Sequence, residues 1–251
     1  MKRFRACRIL AVCGAAAVCI GASPAASADD GSAGGWSITP YLWATDTTVG
    51  LTFRDANIGT GRLSFDDLLD VLDQAFMVYV EGGKDRWSAF GDLTYLETSD
   101  TDERAILTID SRSKQVLLDA AISYRPGGGE SPFSIFGGLR YAGFDDRYTF
   151  SAGGQQLGQQ RSNDKYYDVL LGVRYRFELS DRWNLLTRAD ASFGDSEGTY
   201  LVRANFGYTV GKRGANQILF GYQYKQAEFR SGDLRTKFDY KGPMAGFSFR
   251  F

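Results

Sequence analysis

Apolar and polar residues alternate one for one through most of the chain. In Tyr167–Glu178 one side collects Tyr167, Val169, Leu171, Val173, Tyr175 and Phe177, and the other Asp168, Leu170, Gly172, Arg174, Arg176 and Glu178. A period of two sends alternate side chains to opposite faces of a strand. The same split runs through Trp183–Phe193, Tyr200–Val210 and Ile218–Gln226. The pattern predicts strands at 36–54, 74–83, 87–98, 104–125, 132–150, 164–179, 183–194, 199–211, 216–228 and 236–251.

A soluble antiparallel sandwich would also alternate. Here, however, the apolar face carries large aromatics, and the other face holds Arg and Asp in mid-strand. The aromatics gather at strand ends, with Trp36, Trp87 and Trp183 at one level and Tyr95, Tyr141, Tyr167, Tyr200 and Tyr224 at the other. From Trp87 to Tyr95 is eight residues. At ~3.3 Å per residue and ~40° tilt, that climbs about 20 Å, near the ~25 Å apolar band of an outer-membrane barrel. The reading is an all-β protein, a closed antiparallel transmembrane β-barrel with two aromatic girdles.

The ten predicted strands are joined by short turns alternating with longer loops. Eight or twelve strands stay open as alternatives, because Val49–Phe65 can form an extra hairpin. An even number with short periplasmic turns puts both termini in the periplasm. In the first outer loop, Ser64, Asp66 and Asp67 suit a helix start. Phe65, Leu68, Leu69 and Leu72 follow helical spacing, so a short helix is expected there, either plugging the barrel mouth or lying on its rim. The acids Asp66, Asp67, Asp70 and Asp73 match no Ca²⁺ loop, and no metal site or cofactor is assigned.

The N-terminus reads differently. Lys2, Arg3, Arg5 and Arg8 precede the apolar stretch Ile9–Ala22, and Ala26-Ser27-Ala28 has the small-x-small form of a cleavage site. Residues 1–28 are read as a cleaved signal peptide and 29–251 as the barrel. Cys7, Cys13 and Cys19 all fall in this leader, so the mature chain has no thiol chemistry. Losing the four basic leader residues takes the net charge from −1 to −5, which argues against a nucleic-acid partner. The chain has no His, no Gly-x-Ser-x-Gly elbow and no phosphate loop, so no enzyme is expected.

Several motifs occur together in order: Thr39-Pro40-Tyr41-Leu42-Trp43, Leu63-Ser64-Phe65-Asp66-Asp67-Leu68-Leu69-Asp70, Asp85-Arg86-Trp87, Ser180-Asp181-Arg182-Trp183, and the closing Gly242–Phe251. Together they resemble a largely uncharacterised family of small Gram-negative outer-membrane β-barrel proteins, grouped with OmpA-type and porin-like barrels. The resemblance implies the fold and an outer-membrane location, and brings no reaction or ligand. Phe247, Phe249 and Phe251 resemble the terminal assembly signal of such barrels, which implies the barrel-assembly machinery as a partner beside outer-membrane lipid and lipopolysaccharide.

Taking the polar face as the lumen places Glu81, Asp92, Asp119, Arg125, Arg140, Asp168, Arg174, Arg176, Glu178, Arg188, Asp190, Arg203, Lys225 and Arg250 inside. Unpaired charges there are costly, so cross-strand ion pairs are expected. Two functions fit. One is a narrow porin-like channel for ions or small solutes, weakly anion-preferring because bases exceed acids. The other is a plugged structural or adhesive barrel acting through its extracellular loops, where Arg147, Arg161, Arg230 and Arg235 are placed to meet lipid phosphates. The small-molecule ligand stays open.

Overall fold

The computed structural model describes residues 35–104, 107–211 and 216–251. The predicted leader, residues 1–28, lies outside them. The described residues form twelve strands and one helix. In chain order these are β1 (Gly35–Trp43), β2 (Asp46–Phe53), β3 (Ala56–Leu63), α1 (Phe65–Val71), β4 (Leu72–Lys84), β5 (Trp87–Arg104), β6 (Leu107–Tyr124), β7 (Phe133–Ala152), β8 (Gln155–Glu178), β9 (Trp183–Gly194), β10 (Gly198–Val210), β11 (Asn216–Ser231) and β12 (Leu234–Arg250).

Ten of the strands, β1 and β4 to β12, make a closed antiparallel ring. It closes between the two ends of the chain. Ser37 lies opposite Arg250, and Trp36 and Phe251 exchange backbone hydrogen bonds of 3.3 and 2.9 Å. A closed ring satisfies every ladder group internally and leaves no edge.

The predicted first strand, 36–54, is broken at Ala44–Thr45. Its first part, β1, pairs with the inner half of β12, and its second, β2, pairs with the outer half, Leu234–Lys241. The Ala44 amide donates to the Pro243 carbonyl at 2.9 Å. Gly242 makes the break possible, because a Cβ there would lie 1.7 Å from the Ala44 carbonyl oxygen. β2 then reverses through Arg54 and Asp55, both at positive φ (45° and 66°), into β3. The extra hairpin is therefore real, but it stands outside the ten-strand ring.

On the loop side the strands run further than the periodicity predicts. β7 and β8 span 20 and 24 residues. They meet at Gly153-Gly154 with φ of 56° and 78°, the left-handed pair that a two-residue hairpin turn requires. Most of the predicted loop 153–164 is strand, because its polar residues pair through the backbone while both faces stay solvated.

The two faces of the ring are inverted relative to a soluble protein. Ile122, Leu139, Leu171 and Val202 are more than half exposed, whereas Asp119, Arg140, Asp168 and Arg188 are buried. Trp36, Trp87, Trp183, Tyr95, Tyr141, Tyr167, Tyr200 and Tyr224 stand on the outer face. Neighbouring rings touch at each level: Trp87–Tyr124 at 4.7 Å, Trp183–Tyr208 at 4.9 Å and Tyr141–Tyr167 at 5.1 Å. Phe247 and Phe249 join this face on β12, and Phe251 ends the chain at the closing seam. Trp43 points inward and is buried with Met77, Tyr240 and Met244.

The short helix starts as its sequence suggests. Ser64 and Asp67 form a reciprocal capping box, and the Ser64 hydroxyl and amide hold the Asp67 carboxyl below the usual carboxylate range. Leu72 belongs to β4 rather than to the helix. No residue of α1 is buried, so Phe65, Leu68 and Leu69 do not plug the barrel. A seven-residue helix beside the hairpin has solvent on most of its surface, and the lumen is filled by other means.

Candidate functional site in the lumen

Register builds the site. Asp92 on β5 lies opposite Asp119 on β6, which lies opposite Arg140 on β7, which lies opposite Asp168 on β8. A second row places Arg174 on β8 opposite Arg188 on β9, opposite Arg203 on β10. Like charges directly across a ladder repel. Each row is tolerable only because the facing wall answers it.

Arg188 makes that connection. From β9 it donates to Asp119 at 2.7 Å and to Asp190 at 2.6 Å, and it approaches Asp92 to 3.5 Å. Arg140 grips Asp119 with two nitrogens, at 2.7 and 2.8 Å, and donates to Asp190 at 2.8 Å. Arg203 donates to Asp92 at 2.9 Å and to Gln223. The Tyr41 hydroxyl completes Asp92 at 2.7 Å. Three carboxylates thus meet three guanidiniums, all less than a tenth exposed. The set is neutral and bridges the lumen from wall to wall. Its lower side is aromatic: the Arg188 guanidinium lies 5.1 Å from both Phe90 and Phe136, and Arg174 lies 4.8 and 5.7 Å from them. Arg174 is itself held by Glu81 through two bonds of 3.0 Å.

Other predicted lumen residues sit elsewhere or pair differently. Asp168 is buried but takes the hydroxyls of Ser192 and Ser196 rather than a cation. Lys225 is buried without an ion pair or hydrogen bond among the described residues. Arg125 is not in the lumen. Its guanidinium caps the turn after β6 by donating to the carbonyls of Asp85 and Gly129, because the strand ends at Tyr124 and its parity ends there too. Arg176, Glu178 and Arg250 reach only the mouth on the terminus side, where Arg176 and Glu178 are 3.9 Å apart.

A second seal lies on the loop side of the ions. Phe144 of β7 meets Phe229 of β11 at 5.4 Å and Phe238 of β12 at 6.0 Å, and Tyr166 of β8 meets Phe229 at 4.4 Å. These strands are not neighbours, so the rings span the lumen. Gln115 reaches the Tyr240 hydroxyl at 3.1 Å in the same layer. Only a small gap, lined by Lys225, Arg140 and Asp168, lies between the two layers. On the terminus side, a larger chamber runs from the ionic layer to Arg250. The aromatic layer was legible only as inward parity, since Phe144, Tyr166 and Phe238 share the face of the lumen charges.

No family model matches the chain, and no curated protein matches its sequence. Among solved structures it is similar to Ail, the attachment invasion locus protein of Yersinia pestis, in complex with the heparin analogue sucrose octasulfate, with 11% identity over 87% of this chain and 99% of that one and a TM-score of 0.40. It is also similar to the outer-membrane protease OmpT from Escherichia coli, with 9% identity over 90% and 99% of the two chains and a TM-score of 0.46. For the outer-membrane protein OprG from Pseudomonas aeruginosa the values are 16%, 88%, 97% and 0.30. Identities this low carry no site residue from one chain to another.

Proposed function

We propose that the protein is an outer-membrane β-barrel sealed to bulk flow in its ground state. In this reading it is a plugged scaffold that works through its loop-side surface, with both termini in the periplasm. The observation that carries this is the wall-to-wall contact of Arg188 with Asp119 and of Arg203 with Asp92, backed by the aromatic layer above it. Water and ions need a continuous polar path, and two closed layers interrupt it. The apolar exterior between two aromatic levels supports membrane insertion.

The loop-side surface offers a chemistry for its partner. Arg112, Arg147 and Arg161 lie directly opposite one another on β6, β7 and β8. They share the outward parity of Tyr141 and Tyr167, six residues further out, about 15 Å along the barrel. Arg161 is balanced by Asp145 at 2.6 Å. A row of adjacent cations facing outward suits the phosphates of lipopolysaccharide.

Planar-bilayer recording tests the reading. Folded wild-type protein, verified by heat-modifiable migration, gives no discrete conductance steps. Steps of reproducible size from the wild type would overturn it. Replacing Arg112, Arg147 and Arg161 with Gln lowers the lipopolysaccharide that copurifies with the barrel, and unchanged retention removes the row from the account.

A further inference from the structure

On the outer wall of β7 and β8 the register stacks outward-facing pairs above the membrane band. Tyr141 lies opposite Tyr167 at the girdle, and two residues further out Gly143 lies opposite Lys165. Asp145 then lies opposite Asn163, and Arg147 opposite Arg161, with Arg112 of β6 beside Arg147. Below the tyrosines the wall belongs to lipid, since Leu139 and Val169 are exposed on it. Two residues of strand rise about 5 Å along the barrel at a ~40° tilt. Lys165 therefore stands directly over the tyrosines, and the arginine row stands about 10 Å beyond Lys165.

The charges on this face do not cancel. Arg161 is held by Asp145 at 2.6 Å, and Lys114 by Glu97 at 3.2 Å. Arg112, Arg147 and Lys165 are exposed and make no side-chain ion pair or hydrogen bond among the described residues. Three guanidiniums in a row across a ladder repel one another, and one carboxylate does not offset them. Between the two groups of free cations, Asp145 and Asn163 are joined at 3.4 Å and form a polar level without net free charge. A second observation concerns Tyr141. A Cβ at Gly143 would lie 2.4 Å from the Tyr141 hydroxyl oxygen. The glycine thus lets that ring lie outward along its strand, with its hydroxyl at the level of Lys165.

We infer that this face seats the bisphosphorylated disaccharide headgroup of a lipid in the surrounding leaflet. The inner phosphate takes Lys165 and the Tyr141 hydroxyl. The sugar hydroxyls take Asp145 and Asn163, and the outer phosphate takes Arg112 and Arg147. Guanidinium forks hold phosphate oxygens through paired N–H groups, and lysine serves as a point charge. The acyl chains lie on Leu139 and Val169. The inference rests on the lipopolysaccharide reading above and deepens it. The arginine row alone asks for one phosphate. Two separate groups of free cations, with a polar level between them longer than one sugar ring, ask for two.

The experiment is native mass spectrometry of the detergent-solubilised barrel in buffer free of divalent cations. It is titrated with lipid A carrying both phosphates or only one. The wild type binds the bisphosphorylated lipid at least about fivefold more tightly, the effect of one further charge-assisted contact. Lys165→Gln brings that ratio below about twofold, and so does Arg112→Gln/Arg147→Gln, because each leaves one phosphate without a free cation. Arg230→Gln/Arg235→Gln keeps the ratio, since those cations already pair with Glu197 and Glu228. Heat-modifiable migration confirms that each variant is folded. Equal wild-type affinity for the two lipids, an unchanged ratio in Lys165→Gln, or an equal fall in Arg230→Gln/Arg235→Gln would overturn the two-phosphate seat and leave the arginine row as a lipopolysaccharide contact. Wild-type affinity for both lipids in Arg112→Gln/Arg147→Gln would remove both readings.

Discussion

Arg188→Ala is the perturbation the lumen defines most sharply. Removing one member of a buried ion pair costs about 3–5 kcal/mol, because the other charge is left without compensation. Here the orphaned carboxylates keep other partners. Asp119 and Asp190 retain Arg140, and Asp92 retains Arg203 and Tyr41. That places the electrostatic loss at the low end of the range. Two cation–π contacts, with Phe90 and Phe136, add about 0.5–1 kcal/mol each before relaxation. The expected destabilisation is about 4 kcal/mol, or roughly three powers of ten in the unfolding equilibrium. Reversible urea unfolding in lipid vesicles, followed by tryptophan emission, measures it. The layer is also left with one net negative charge, so Arg188→Ala/Asp190→Asn restores neutrality and recovers about 1 kcal/mol or more. Conductance is read on Arg188→Ala/Phe144→Ala, which breaks both seals and opens in discrete steps. A single variant as stable as wild type, to within about 0.5 kcal/mol, refutes the reasoning. So does a folded double variant that stays electrically silent.

Three further outcomes follow from particular contacts. Brominated lipid quenches tryptophan emission, and the quenched fraction falls in Trp36→Phe, Trp87→Phe and Trp183→Phe but not in Trp43→Phe, whose ring faces the lumen. Gly242→Ala destabilises the barrel by about 1–3 kcal/mol in the same urea assay, since its Cβ would meet the Ala44 backbone. Gly61→Ala, with nothing within 4 Å, stays within about 0.5 kcal/mol of wild type. At α1, the depressed Asp67 carboxyl gives a capping contribution that is full above the ordinary carboxylate range and is lost as pH falls through the depressed value. Asp67→Asn removes it at neutral pH, lowering the amide-exchange protection of Leu68, whose N–H bonds to the Ser64 carbonyl at 2.9 Å.

Much of the barrel was legible because alternation and wall orientation are the same fact. Once Tyr167, Val169 and Leu171 were set on one face, Asp168, Leu170 and Gly172 had to share the other. The charged rows followed from parity alone, but their partners did not. Arg188 meets Asp119 from across the lumen, 69 positions away in sequence, and no local spacing encodes that distance. Parity put Leu170 on the inner face, but nothing in the sequence marked it as fully buried against Phe90 and Phe136. The pattern assigned Tyr41 and Tyr79 no lumen role, and their hydroxyls turn out to finish Asp92 and Glu81. The break at Ala44–Thr45 was hidden because alternation continues through it, and only the steric demand at Gly242 marks it. Arg125 failed for the opposite reason: parity was carried past the end of a strand.

The bonded meeting of Trp36 with Phe251 makes the wall a circle with no first or last strand in space. A permuted chain with those ends joined by a short linker, and new ends cut at the Asp181 turn, keeps the neighbour pairs of the ring. It also buries Phe247, Phe249 and Phe251 within the chain rather than leaving them at its end. Such a permutant separates architecture from address. Refolded in detergent, it forms the same barrel, and expressed in a cell it tests whether the terminal aromatics must be a terminus to bring the barrel to its membrane.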